Sequence, residues 1–230
     1  MLRVFRSLMR VVIFAEPLIY NHSMKSDSSK IKKIIRTLKT LYPVVKTQLE
    51  HESAFQLLIA TILSAQCTDN QVNKVSKVLF KKYPDPDSLN NASLSSVKKI
   101  IYSTGFYNNK AKNIKACAYA VLNDHNGIVP DGIDKLVKLP GTGRKTANVV
   151  LSAWFGHQTI VVDTHVLRIS NRLGLTNKKD PVKVEYELMK LIPKNCWNDI
   201  SLQFIYFGRK ICNAKKPLCM NCPLSDICCF

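Results

Sequence analysis

Four cysteines near the end of the chain, spaced Cys212-x6-Cys219-x2-Cys222-x5-Cys228, constrain this sequence more than any other feature. A stretch with so little apolar material cannot make its own core, so something other than hydrophobic burial must hold it. Five of the eight cysteines fall in the last nineteen residues. A disulfide framework would spread them through a small secreted domain, so the crowding points to a metal or cluster site in a reducing compartment. Zinc ribbons pair two short Cys-x-x-Cys knuckles, whereas here only Cys219 and Cys222 form one, with longer arms on both sides. Longer arms suit the separated corners of a [4Fe–4S] cube better than one tetrahedral ion, although a zinc ion stays open at this point. Cys229 has no assigned part in either arrangement.

Upstream, the apolar residues recur at helical spacing. Ser53–Ala65 is apolar nearly all round, which suits a buried helix, and Val72, Val75 and Leu79 mark one face of the next. Residues 84–93, PDPDSLNNAS, read as a turn, with Ser93 capping the next helix. Ile114, Cys117, Ala118 and Val121 form another stripe, so Cys117 is expected in the core. Further helices are expected over Asp131–Leu139 and Arg144–Phe155, after the Asp180-Pro181 start signal, and along Ile200, Phe204, Phe207 and Ile211. The one β-branched run, Thr159–Val162, is too short to start a sheet, so the expected class is all-α.

The chain carries 34 Lys and Arg against 16 Asp and Glu, a net charge of +18. That excess opposes compaction unless an anion offsets it, which favours nucleic acid over an acidic membrane surface as partner. No stretch is apolar enough to span a bilayer. The basic start, with Arg3, Arg6 and Arg10 before Glu16, fits a transit segment, a secretory signal or an upstream start codon. The expectation is an extension over 1–24, disordered or preceding a true start at Met24.

Two motifs carry chemistry. In Leu139-Pro140-Gly141-Thr142-Gly143-Arg144-Lys145 two helices meet across glycines, and the free N–H groups opening the second helix suit a DNA phosphate. An ordinary αα-turn would look similar, but Arg144 and Lys145 stand against the preference of the helix dipole, as residues kept for function do. In Val162-Asp163-Thr164-His165, Asp163 opens a helix, so a simple N-cap stands beside a catalytic role, and His165 reads as structural or phosphate-contacting.

LPGTGRKTANVVL (139–151), VDTHV (162–166), LLIATILSAQCTDNQVNKV (57–75) and the four-cysteine tail, in one chain, resemble the endonuclease III family of helix-hairpin-helix DNA glycosylases and abasic-site lyases. The resemblance runs over roughly 25–230. It implies an all-α two-domain fold: a six-helix domain over about 47–157, and a second domain from 25–46 plus 158–230 holding a [4Fe–4S] cluster on Cys212, Cys219, Cys222 and Cys228. It makes Lys145 the nucleophile and Asp163 the essential carboxylate. DNA contacts are expected from Gln66, which fills the gap of an extruded nucleotide, and from the wedge Phe106, where the family usually has leucine. They are also expected from Gly141, Gly143, Arg144, His165, Lys215 and Lys216. The implied partner is double-stranded DNA with damaged pyrimidines or abasic sites, met by a cytoplasmic, nucleoid-associated bacterial monomer. Two readings compete: an adenine-excising relative, which lacks a lysine at this position, and a zinc-containing DNA-binding module without catalysis.

Overall fold

The computed structural model describes residues 18–230, with side chains from residue 28. The expectation for the basic start falls largely outside these residues. Where described, the chain is helical with no strand, as the periodicity predicts. Helix α1 (Leu18–Leu41) already runs at Leu18, ahead of the boundary expected at 25. Among the described residues no helix is long and apolar enough to cross a membrane.

Two cores form. The first is built by α2 (Ala54–Leu63), α3 (Asp69–Lys82), α4 (Pro86–Asn91), α5 (Leu94–Ile101), α6 (Tyr107–Asp124), α7 (Ile133–Leu136) and α8 (Arg144–Ala153). Helix α2 is its centre. Ser53 caps it by accepting from Gln56 N, and every residue from Phe55 to Leu63 is buried, which matches its uniformly apolar sequence. Cys117 lies in this core, where burial pushes its thiol up to about 12.

The segment 84–93 is not a simple turn. Asp85 caps α4 by accepting from Ser88 N, Pro86 starts it, and Leu89 is fully buried. Its C-terminal carbonyls are collected by Lys115, which donates to Asn90 O at 2.6 Å. The six helices implied by the resemblance thus become seven, counting the short α4 and α7.

The second core joins α1 to α9 (Thr164–Arg172), α10 (Pro181–Leu191), α11 (Trp197–Lys210) and the cysteine tail. Phe204 and Phe207 of α11 are at most 1% exposed, and Leu224 of the tail is 0% exposed. Between the cores, 159–162 forms neither helix nor strand. Its backbone is satisfied by side chains: Thr159 N donates to Asn198 Oδ1 at 2.9 Å and Val161 N to Ser201 Oγ at 3.0 Å. The tight meeting of α9 and α11 needs Gly208, since a Cβ there would sit 2.9 Å from both His165 and Arg168 side chains.

Candidate active site

A cleft of about 880 Å³ opens between the two cores, lined by Thr61 of α2 and Ser64 just after it, Lys145 of α8, Asp163, and Tyr206 and Arg209 of α11. Lys145 reaches it because Gly143 ends the hairpin as the N-cap of α8, which leaves Lys145 exposed in the first turn. Asp163 faces it as the N-cap of α9. Its Oδ1 accepts from His165 N at 2.8 Å and Val166 N at 2.9 Å, while Oδ2 meets His165 Nδ1 at 2.8 Å. Capping and facing the cleft are therefore not alternatives for Asp163, and three contacts lock its carboxylate plane. His165 spends Nδ1 on that carboxylate, which explains its half-buried place beside Gly208.

Arg144, expected to contact DNA, has a partner within the protein. Its Nε and Nη2 grip Glu185 at 2.8 and 2.7 Å, and its guanidinium lies 5.1 Å from the Tyr186 ring. The first turn of α8 is thereby tied to α10 of the other core. A second tie crosses at the cleft, where Arg209 donates to Asp69 Oδ2 at 2.9 Å and Gln48 Oε1 at 2.8 Å. Sequence reasoning missed Glu185, Asp69 and Arg209. The one signal was Glu185 standing three residues before Leu188 on a buried face, where a carboxylate needs a partner.

The two hairpin glycines differ. Gly141 has φ +77°, and a Cβ there would lie 2.9 Å from Asn113 Cβ. Gly143 has φ −85°, and a Cβ would meet nothing within 4 Å. Gly141→Ala is therefore expected to cost at least about 1–2 kcal/mol, seen as a lower Tm. Gly143→Asp should leave Tm in place and weaken affinity for every duplex about tenfold by setting a carboxylate against phosphate. A Gly143→Asp protein with wild-type affinity across a salt series would remove this turn from the interface.

Gln66 and Phe106 stand on separate loops. Both are exposed, Phe106 at 66%, and both adopt left-handed backbone, with φ of 54° and 47°. For residues without glycine's freedom that conformation is strained, and it concentrates where function requires a particular side-chain direction.

In the tail, burial raises the Cys222 thiol, and Cys212, Cys228 and Cys219 raise it further by their proximity. Cys222 thus lies near the other three, and all four are free thiols. No three His, Cys, Asp or Glu side chains gather tightly enough to hold a single ion among the described residues. Arg172 organises the surroundings. Its Nη1 reaches Cys212 Sγ at 3.3 Å and Asn213 O at 2.8 Å, Nη2 reaches Ala214 O at 3.0 Å, and its carbonyl accepts from Cys229 N at 2.8 Å. Lys215 and Lys216 come next on this braced loop, both exposed. Cys229 faces away toward Lys30, whose Nζ is 3.7 Å from its sulfur.

Comparison with known proteins places this geometry. A family model described as HhH-GPD superfamily base excision DNA repair protein matches residues 59–194. The chain is 47% identical over 206 residues to a protein named endonuclease III from Synechocystis sp., covering 89% of this chain and 94% of that one. It is 47% identical over 189 residues to endonuclease III from Bacillus subtilis, covering 82% and 86%. A solved structure of a trapped endonuclease III–DNA covalent intermediate superposes with TM-score 0.84 at 44% identity, covering 87% of this chain and 95% of that one.

Proposed function

The chain belongs to the HhH-GPD superfamily of base excision DNA repair proteins, and from that membership we propose that it excises oxidised pyrimidines and then cuts the strand through a lysine Schiff base. It is a DNA glycosylase and abasic-site lyase of the endonuclease III kind. The observation that carries the mechanism is that Lys145 and Asp163, from different cores, line one cleft.

A base stacked in a duplex is out of reach, so the nucleotide must be extruded, at a few kcal/mol, least for a damaged base. The Lys145 amine forms a bond to C1′, and the base departs with the glycosidic electron pair. Loss of the nitrogen's proton and opening of the sugar ring give the Schiff base. Removal of a C2′ proton then expels the 3′ phosphate, and water releases the enzyme. Asp163, its plane fixed by three contacts, offers Oδ2 to the positive charge developing on the sugar and as a proton carrier. His165, bonded to that same oxygen, holds it in place.

The tail is proposed to hold a [4Fe–4S] cluster on Cys212, Cys219, Cys222 and Cys228. The convergence of the four free thiols on Cys222 fits such a donor set. When bound, the group serves as a brace that fixes the loop carrying Lys215 and Lys216 against phosphate. Cys222→Ser is expected to lose iron and the broad absorption near roughly 400 nm typical of such centres. Cys229→Ser is expected to keep both, because its sulfur points toward Lys30. Iron analysis of the two purified proteins checks this, and iron lost from Cys229→Ser would reassign the fourth ligand.

The enzymatic reading as a whole is tested by incubating the protein with duplexes bearing thymine glycol, uracil or an abasic site. Denaturing gels should show strand cuts at thymine glycol and the abasic site.

A further inference from the structure

Lys110 has no part in the chemistry above, yet among the described residues it is the one buried lysine, at 5% exposure. Its Nζ donates to Leu63 O and to Thr104 O, both at 2.8 Å. Burial holds its ammonium below the usual lysine range, and among the described residues no carboxylate pairs with it. The counter-charge comes from helix ends. Leu63 is the last residue of α2, and Thr104 closes the short 3-10 turn Tyr102–Thr104 that continues α5. Both carbonyls belong to the negative end of their segments, where an ammonium is favoured.

The loops that leave these two carbonyls give the contact its meaning. The chain runs from Leu63 through Ser64 and Ala65 to Gln66, and from Thr104 through Gly105 to Phe106. Gln66 and Phe106 are the exposed, left-handed residues of the two loops, and Asn126 is the only other non-glycine with positive φ among the described residues. Lys110 itself sits in the first turns of α6, where its own N–H donates to Phe106 O at 3.1 Å. One ammonium therefore ties together the roots of both loops, from a helix that begins at one of them.

We infer that Lys110 is a positioning residue for base extrusion, a buried ionic strut that sets the separation of Gln66 and Phe106 so that both enter the opened stack together. This rests on the reading of the chain as a base-extruding glycosylase. It also separates the roles of two lysines. Lys145 is exposed and reaches the substrate, whereas Lys110 is walled in with two of its three hydrogens committed to carbonyls, so it is no second nucleophile.

The strut matters only while the stack must be opened. Lys110→Met keeps the length of the chain but leaves both carbonyls without their donor. Single-turnover rates are to be measured on two substrates: a fully paired duplex containing dihydrouracil, and an abasic site in a single strand, trapped with borohydride. Misplacement by about 1 Å costs on the order of 100-fold in rate. The expected result is a fall of about 10- to 100-fold on the paired duplex, with trapping of the single strand within about twofold of wild type. A 2-aminopurine beside the lesion should also show less fluorescence gain on binding. Equal losses on both substrates, or no loss on either, would overturn the inference. Should Lys110→Met fail to fold, Lys110→Gln, which keeps donors of shorter reach, is judged by the same ratio. Wild-type protein inactive on both substrates would instead sink the enzymatic reading, and the 2-aminopurine signal then decides the strut on its own.

Discussion

Lys145→Gln should bind abasic DNA about as well as wild type, yet yield no borohydride crosslink and no strand cleavage. The side chain is exposed in the first turn of α8, so its removal disturbs no core and Tm should hold. The hairpin backbone and the exposed Lys215 and Lys216 remain to hold phosphate. Losing the covalent nucleophile removes a group whose interaction exists only along the reaction path, so the rate should fall by at least about a thousandfold at nearly unchanged affinity. Residual crosslinking at wild-type yield would mean that another amine attacks. Lys110, buried and bonded to two carbonyls, is not available for that part.

The second large effect is expected at Asp163. Its Oδ1 caps α9 through two backbone N–H groups, and its Oδ2 bonds to His165. Asp163→Asn keeps one acceptor oxygen, so the cap survives and Tm should change little. It loses the negative charge and the proton-carrying oxygen, and an amide donor then confronts His165. Single-turnover excision should slow by about 100- to 10,000-fold. Asp163→Ala should match that loss and add about 1 kcal/mol of destabilisation from the missing cap. Were Asp163→Asn to retain near wild-type excision while Asp163→Ala lost stability, Asp163 would be a cap and nothing more.

Comparing residues that were legible in the sequence with those that were not shows where local pattern ends. Ser93 and Asp180 announced their helices because caps and first-turn residues act within four positions. The same Asp-Pro signature at Asp85-Pro86 reads as a turn because only Leu89 stands after it as a buried anchor, too little for an apolar stripe. Lys145 and Asp163 were legible because each lies in a short motif. Their meeting in one cleft was implied only by resemblance. Arg144 was expected on DNA because a cation at a helix start is out of place locally. Its pairing with Glu185, 41 residues away, was not legible, since no local pattern carries a pairing at that distance. Lys110 was invisible for the same cause, since its acceptors are backbone carbonyls and a carbonyl leaves no mark on sequence.

The ties at Arg144–Glu185 and Arg209–Asp69 have a mechanical consequence. The carboxylate of Glu185 is only 5% exposed, so salt screens that pair weakly. The walls of the cleft are tied to each other at two separate places, which opposes a change of its width; on the proposed function, the duplex is then the more compliant member of the encounter. Bending DNA through about 40–90° takes on the order of 1–6 kcal/mol, depending on the steps being bent. On the proposed function, attraction between the +18 chain and the phosphates offsets that cost, and it does so without regard to base sequence. On that same reading, the stiffness of the DNA itself then sets the outcome: an intact, well-stacked stretch is expected to resist the bend, and a lesion that has softened the stack to yield to it.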